Sequence, residues 1–220
     1  MENNDLDDWE NRFNAWYLSQ DRLTDGSHDL GHFQRVWRLA AEINREEYKP
    51  ADPLTLLAAA YFHDLVSLPK NHPDRKDASR LSADRAVGLL RQQWADFHAR
   101  KLEGVRHAIH AHSFTAAVTP LTPEAKILQD ADRLEALGAI GLARVFYTAG
   151  QMNQQLFDQA DPLATQRAPD DRHFALDHFQ VKLFRLPAMM NTAAGRRLAD
   201  NKTQYLREFL HRINLEIQRS

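Results

Sequence analysis

The residues in this sequence best equipped for chemistry are imidazoles and carboxylates set against apolar runs. His63 and Asp64 directly follow LLAAAYF. Neighbouring side chains on a helix diverge by only about 100°, so both can reach one ion from adjacent directions. His32 comes from an earlier segment, and Asp132 stands in QDADRLEAL, where Leu128, Leu134 and Leu137 mark burial on either side. An unpaired polar group in such surroundings costs roughly 2–7 kcal/mol, so something must compensate each of the four. Two readings are open at this level. Each residue is a hydrogen-bonded member of the core, or together they form the shell of a divalent cation. Two neutral imidazoles and two carboxylates suit Mn, Fe, Co, Ni, Zn or Mg and leave positions for water or phosphate. Such an ion lowers the pKa of bound water and neutralises phosphate charge, which is equipment for hydrolysis. With no cysteine in the chain, any metal must use nitrogen and oxygen ligands, and thiol nucleophiles and disulfides are excluded.

Helices must position these groups. Leu6, Trp9, Phe13, Trp16 and Tyr17 recur at helical spacing and predict a packing helix over 6–18. Asp25, Gly26 and Ser27 supply turn and capping chemistry before a helix running to about Glu47. Pro50 and Pro53 break that helix, and LTLLAAAYFHDLV then forms an almost wholly buried one ending in His63 and Asp64. A polar loop over 67–79 is the kind of segment that meets substrate. Further helices are expected over 79–97, about 99–112, 123–150 (with Pro123 in its first turn), 174–185 and 188–218. Residues 151–173 have no periodicity and predict a surface loop or lid. The aromatic residues of the first helix, with Phe174, Phe179 and Phe184, are expected in the core.

Composition narrows the classes. Hydrophobic residues make up 43% of the 220 and only 8 are Gly, which favours long helices over a turn-rich β fold. The net charge of -2 lacks the basic footprint of a nucleic-acid binder, so no such partner is expected. The opening MENNDLDDWE is acidic, and no stretch approaches the roughly 20 apolar residues of a membrane span. The expectation is a cytoplasmic protein without membrane contact, in one cooperative domain over 1–220 with the 174–220 helices packing on the rest; a homodimer is compatible with it.

Taken in order, a single His, then His-Asp, then a distal Asp resemble the motif set of the HD-domain metal-dependent phosphohydrolases. The segments HDLGHFQRVWRLA, AAAYFHDLV, DASRLSADRA, RHAIHAHSF, EAKILQDADRLEALGAIGLARVF and DHFQVKLFRL look like successive signatures of a small bacterial, nucleotide pyrophosphohydrolase-like branch, across roughly residues 20–215. The resemblance implies an all-α HD-domain bundle with its metal between helices. It gives ligand roles to His32, His63, Asp64 and Asp132, with Asp130 the alternative to Asp132.

Further roles follow from it. Asp64, His107 and His112 become catalytic candidates that line the cavity or handle a proton. Lys70, Arg75, Lys76 and Arg80 become candidates for the substrate phosphates, and His28 for a hydrogen bond behind His32. Arg35 and Arg133 lie beside ligands, as phosphate contacts or as partners of carboxylates such as Asp29. The implied cofactor is a divalent ion among Mn, Mg, Ni, Co, Fe and Zn. The implied reaction splits a nucleoside triphosphate into monophosphate and pyrophosphate, with monophosphate hydrolysis or a non-catalytic nucleotide sensor as alternatives. The Gly-Tyr-Pro signature of cyclic dinucleotide cleavage is missing.

Overall fold

A computed structural model describes residues 3–20, 29–68 and 74–218, without the side chains of Asn3, Asn4 and Phe114. The expected turn at Asp25-Gly26-Ser27, and the candidates His28 and Lys70, lie outside the described residues. The described chain is all-α: α1 (Asn3–Leu18), α2 (Leu30–Glu46), α3 (Pro53–Phe62), α4 (Ala78–Gln93), α5 (Leu102–His112), α6 (Pro123–Glu135), α7 (Gly138–Gln151), α8 (Asp177–Val181) and α9 (Ala193–Gln218). Among the described residues no strand forms, and one isolated bridge joins Gln155 to Phe174. No described helix is long and apolar enough to cross a membrane. The chain divides into two compact units, residues 1–132 and 133–220, with the boundary inside α6.

In the first unit α3 is central, and all its residues from Leu54 to Phe62 are buried. Its start is fixed locally: Pro53 occupies the first turn, the Asp52 carboxylate accepts from Thr55 N at 2.8 Å, and Lys101 reaches the same carboxylate. The helices α2 and α5 flank it, and α1 and α4 also touch it. The first helix contributes aromatic mass, as expected: Trp9, Phe13 and Tyr17 are buried, and Phe13 packs edge-on to Phe62 and Trp94. Tyr17 Oη donates to Tyr61 O at 2.6 Å, which ties α1 to the last turn of α3. In α2, Asp29 caps the first turn by accepting from His32 N at 2.8 Å, and Phe33, Val36, Trp37, Ala40 and Ile43 form its buried face.

Several boundaries differ from the sequence expectation, each for a physical reason. The helix α3 stops at Phe62, so His63 is its C-cap and Asp64 lies in the following turn. The helix expected over 79–97 ends at Gln93, where Trp94 turns to φ -137° and ψ 86°. Residues 99–101 form a tight 3-10 turn ahead of α5. The helix expected over 123–150 is broken into α6 and α7. Ala136 N and Leu137 N close back onto Arg133 O and Leu134 O, and Gly138 takes φ +72°, which costs a residue with Cβ far more than glycine. Gly141 makes the reversal close, since a Cβ there would stand 2.2 Å from Ala136 O.

The expected helix at 174–185 shrinks to α8, and a 3-10 stretch containing Pro187 covers Leu183–Met189. Within the second unit α9 packs on α7 and on that stretch. Phe179 is fully buried there. The irregular 151–173 segment is closely tied. Arg167 grips buried Asp177 with two nitrogens at 2.5 and 2.8 Å, and Leu176 N donates to Leu156 O at 3.0 Å.

Candidate metal centre

Three helix ends and the start of a fourth helix deliver imidazoles and carboxylates to one spot in the first unit. His32 comes from the first turn of α2, His63 and Asp64 from the C-terminal cap of α3, His112 from the last residue of α5, and Asp132 from α6. Burial is graded across the group. His32 and His63 are 0% exposed and His112 6%, whereas the Asp64 and Asp132 side chains are 26% and 31% exposed. The nitrogens form a sealed floor and the carboxylates an open rim.

The ligand atoms converge. His32 Nε2 and His63 Nε2 are 3.2 Å apart, and Asp132 Oδ1 lies 3.8 Å from the first and 3.7 Å from the second. Asp64 Oδ2 is 3.6 Å from His63 Nε2, and Asp64 Oδ1 is 3.5 Å from His112 Nε2. Two ligands each about 2.1 Å from a shared ion at tetrahedral or octahedral angles stand about 3.0–3.4 Å apart, so these separations fit with slight contraction. The atoms form two overlapping groups that share His63: His32, His63 and Asp132, and His63, Asp64 and His112.

The donor chemistry fits as well. His63 Nδ1 bonds Ala60 O at 2.8 Å, and His112 Nδ1 bonds Ile109 O at 2.6 Å. A carbonyl only accepts, so each Nδ1 carries the hydrogen and each Nε2 turns a lone pair inward. The His63 lone pair faces His32 Nε2 at 3.2 Å, so a hydrogen or a cation lies between the two rings. The electrostatics agree: burial lowers the His63 pKa, but Asp64 and Asp132 outweigh it and raise it to about 9. For Asp132 burial raises the pKa, and His63, His112 and His32 together hold it well below the usual carboxylate range.

Supporting bonds brace the cluster. Gln129 Nε2 donates to Ala111 O at 2.8 Å, which pins the end of α5 beside His112 to α6. Such outer contacts, with Tyr17 and Ala60, carry no sequence signal, since they depend on backbone carbonyls.

The other candidates fall differently. His107 stands away from the grouped ligand atoms, and its Nε2 accepts from Leu121 N at 3.0 Å. The two histidines are five residues apart, about 140° around the helix, so only one can face the cluster, and it is His112. Asp130 is fully buried and outside both groups, leaving Asp132 as the convergent carboxylate. Arg75 donates to Leu68 O at 2.6 Å from the 3-10 turn at Arg75–Asp77, and Lys76 is exposed beside it; this turn packs against the one at Phe114–Ala116 that follows His112. Arg80 pairs with Asp77 and Asp84. Arg133 Nη1 donates to Met189 O at 2.5 Å, a structural bond.

The chain is similar to several known proteins. The family model described as HD domain matches residues 29–137, which span all five cluster residues. The YpgQ protein of Bacillus subtilis is 36% identical over 204 residues, covering 90% of this chain and 89% of its own. The crystal structure of YpgQ in complex with ADP superposes with a TM-score of 0.70 at 29% identity, covering 96% of each chain. A structure from Lactobacillus plantarum gives 0.71 at 28% identity, covering 96% of this chain and 97% of its own. An HD-superfamily hydrolase from Bacillus thuringiensis, at 24% identity, shares the fold with a TM-score of 0.73 over 98% of this chain and 100% of its own. The chain belongs to the HD-domain superfamily of metal-dependent hydrolases.

Proposed function

We propose that the protein is a divalent-metal-dependent phosphohydrolase acting on nucleotides, which splits a nucleoside triphosphate into monophosphate and pyrophosphate. The observation that carries this reading is the meeting of His32, His63, Asp64 and Asp132 with His112 at a half-open site. The ADP bound to YpgQ supports the nucleotide class.

His32, His63, Asp64 and Asp132 would hold the ion. Bound there, it would supply an acidified water and charge neutralisation at phosphate. The chain's own groups do the rest. The rim carboxylate Asp64 orients the attacking water through Oδ1, and His112 Nε2, 3.5 Å from that oxygen, takes the proton as general base. Arg75 and Lys76, beside the Phe114–Ala116 turn, bind the outer phosphates and stabilise the charge that develops on them. In this reading the enzyme works in the cytoplasm, on the nucleotide pool.

The test is a nucleotide panel with Mn, Mg, Co or Ni, in which phosphate and pyrophosphate release are assayed separately. Pyrophosphate in step with monophosphate is the expected result. Phosphate released from monophosphates would replace it with a phosphatase, and tight binding without product would make the protein a sensor.

A further inference from the structure

The last turn of α3 carries His63 and Asp64 to the metal centre, and its final three carbonyls are all taken. Ala60 O accepts from His63 Nδ1 at 2.8 Å, Phe62 O from Leu65 N at 3.4 Å, and Tyr61 O from Tyr17 Oη at 2.6 Å. The first two bonds are local, whereas Tyr17 comes from α1. Its ring, 4% exposed, also stacks on Phe33 at 5.0 Å and 29° and on Phe62 at 5.9 Å and 22°. Phe33 directly follows His32, and Phe62 directly precedes His63. Phe33 in turn stands at 86° to the His63 ring, 5.6 Å away. One side chain thus touches both segments that deliver the facing Nε2 atoms.

Two more residues of α1 reach the same two helices. Glu10 Oε2 accepts from Trp37 Nε1 at 2.9 Å, and Asn14 Oδ1 from Gln34 Nε2 at 2.9 Å, both donors on α2. The Tyr61 hydroxyl of α3 donates to Glu10 Oε1 at 3.1 Å and to Asn14 Oδ1 at 3.0 Å. Glu10, Asn14 and Tyr17 are spaced i, i+4 and i+7, so one stripe of α1 splints α2 to α3. We infer that Tyr17 is a positioning residue for the metal centre, which sets the spacing of His32 and His63 and thereby the affinity for the ion. The inference rests on the ligand set proposed above and on no choice of substrate. Tyr17 acts through its neighbours: it removes freedom from two segments before the ion arrives, so binding has less order to impose.

The experiment is a calorimetric titration of the full, metal-stripped chain with Mn²⁺ and separately with Co²⁺, alongside circular dichroism and thermal melts. Tyr17→Phe keeps the ring and loses the hydrogen bond to Tyr61 O. Phe33→Leu keeps that bond and loses the stack, so the test stands on either variant if the other does not fold. Each is expected to bind both ions about tenfold or more weakly, as partners that orient a ligand do. Trp9→Leu is the comparison, because Trp9 is a buried residue of the same helix that packs on Phe13 and Phe97. It should lower the Tm by more than Tyr17→Phe does, yet keep the parent's metal affinity, a split that general loosening of the fold would not give. Unchanged affinity in the folded Tyr17→Phe and Phe33→Leu variants, or an equal loss in Trp9→Leu, would overturn the inference and leave the metal centre in place. A parent that binds neither ion would overturn both.

Discussion

His32 and His63, 31 residues apart in the chain, meet Nε2 to Nε2 at 3.2 Å with both rings fully buried. The His63 lone pair at that distance from His32 Nε2 needs a hydrogen or a cation on the line between them, so the pair marks the centre of the site.

Removing a member of that centre should remove the ion. His63→Ala and Asp132→Asn are expected to weaken metal affinity by more than about 100-fold, since even outer-shell changes cost about 10–100-fold. Turnover should fall with it. Metal analysis after dialysis, with circular dichroism to verify the fold, checks this; full occupancy in both variants would remove the assignment.

His112 should behave differently. As the proposed proton acceptor rather than a principal ligand, His112→Ala is expected to keep its metal while kcat falls by about 10²–10⁴. Metal content and initial rates on the same preparation decide the matter, and metal loss parallel to that of His63→Ala would instead make His112 a ligand.

Asp52 links pH to stability far from the site. Burial raises its pKa, but Lys101 and Thr55 outweigh that and leave it below the ordinary 3.8. A depressed folded-state pKa gives stability that is present above the unfolded value and is lost as pH falls through the folded one. Asp52→Asn keeps a capping side chain but loses the charge interaction with Lys101, and should therefore be less stable than the parent near neutrality by about 0.2–1 kcal/mol. Urea midpoints should converge as pH falls through the folded-state value, which lies below the ordinary 3.8, and the parent's carboxylate protonates. A gap independent of pH would dissociate the effect from this charge.

Gly141→Ala tests the α6–α7 reversal. The added Cβ would stand 2.2 Å from Ala136 O, against backbone that cannot rotate away, and should destabilise by about 1–3 kcal/mol. Gly150→Ala meets nothing within 4 Å and should be neutral or slightly stabilising, because alanine is the better helix former. Thermal melts of the pair give the contrast.

The buried helix α3 is legible in LTLLAAAYF because nothing polar interrupts it, and His63 and Asp64 are conspicuous where that run ends. The meeting of His32 and Asp132 with them was accessible only through the order of motifs, since periodicity says nothing of which helix ends converge. The break between α6 and α7 escapes a pattern reading because ALGAIGLA keeps an apolar helical rhythm across Gly138, whose left-handed φ emerges only from the path of the chain. Pro187 marks the gap between the helices expected over 174–185 and 188–218, and the structure fills that gap with the 3-10 stretch Leu183–Met189. The choice of His112 over His107 needed the orientation of α5, which spacing alone leaves free.

His63 and His112 are each aimed by a carbonyl three residues back in their own segment, Ala60 O and Ile109 O. Each ring therefore arrives with its tautomer and tilt already chosen once its own helix has formed. Little rotamer freedom is left to lose when the helix termini dock, so the precision of the centre is inherited from local turns and long-range packing has only to bring those turns together.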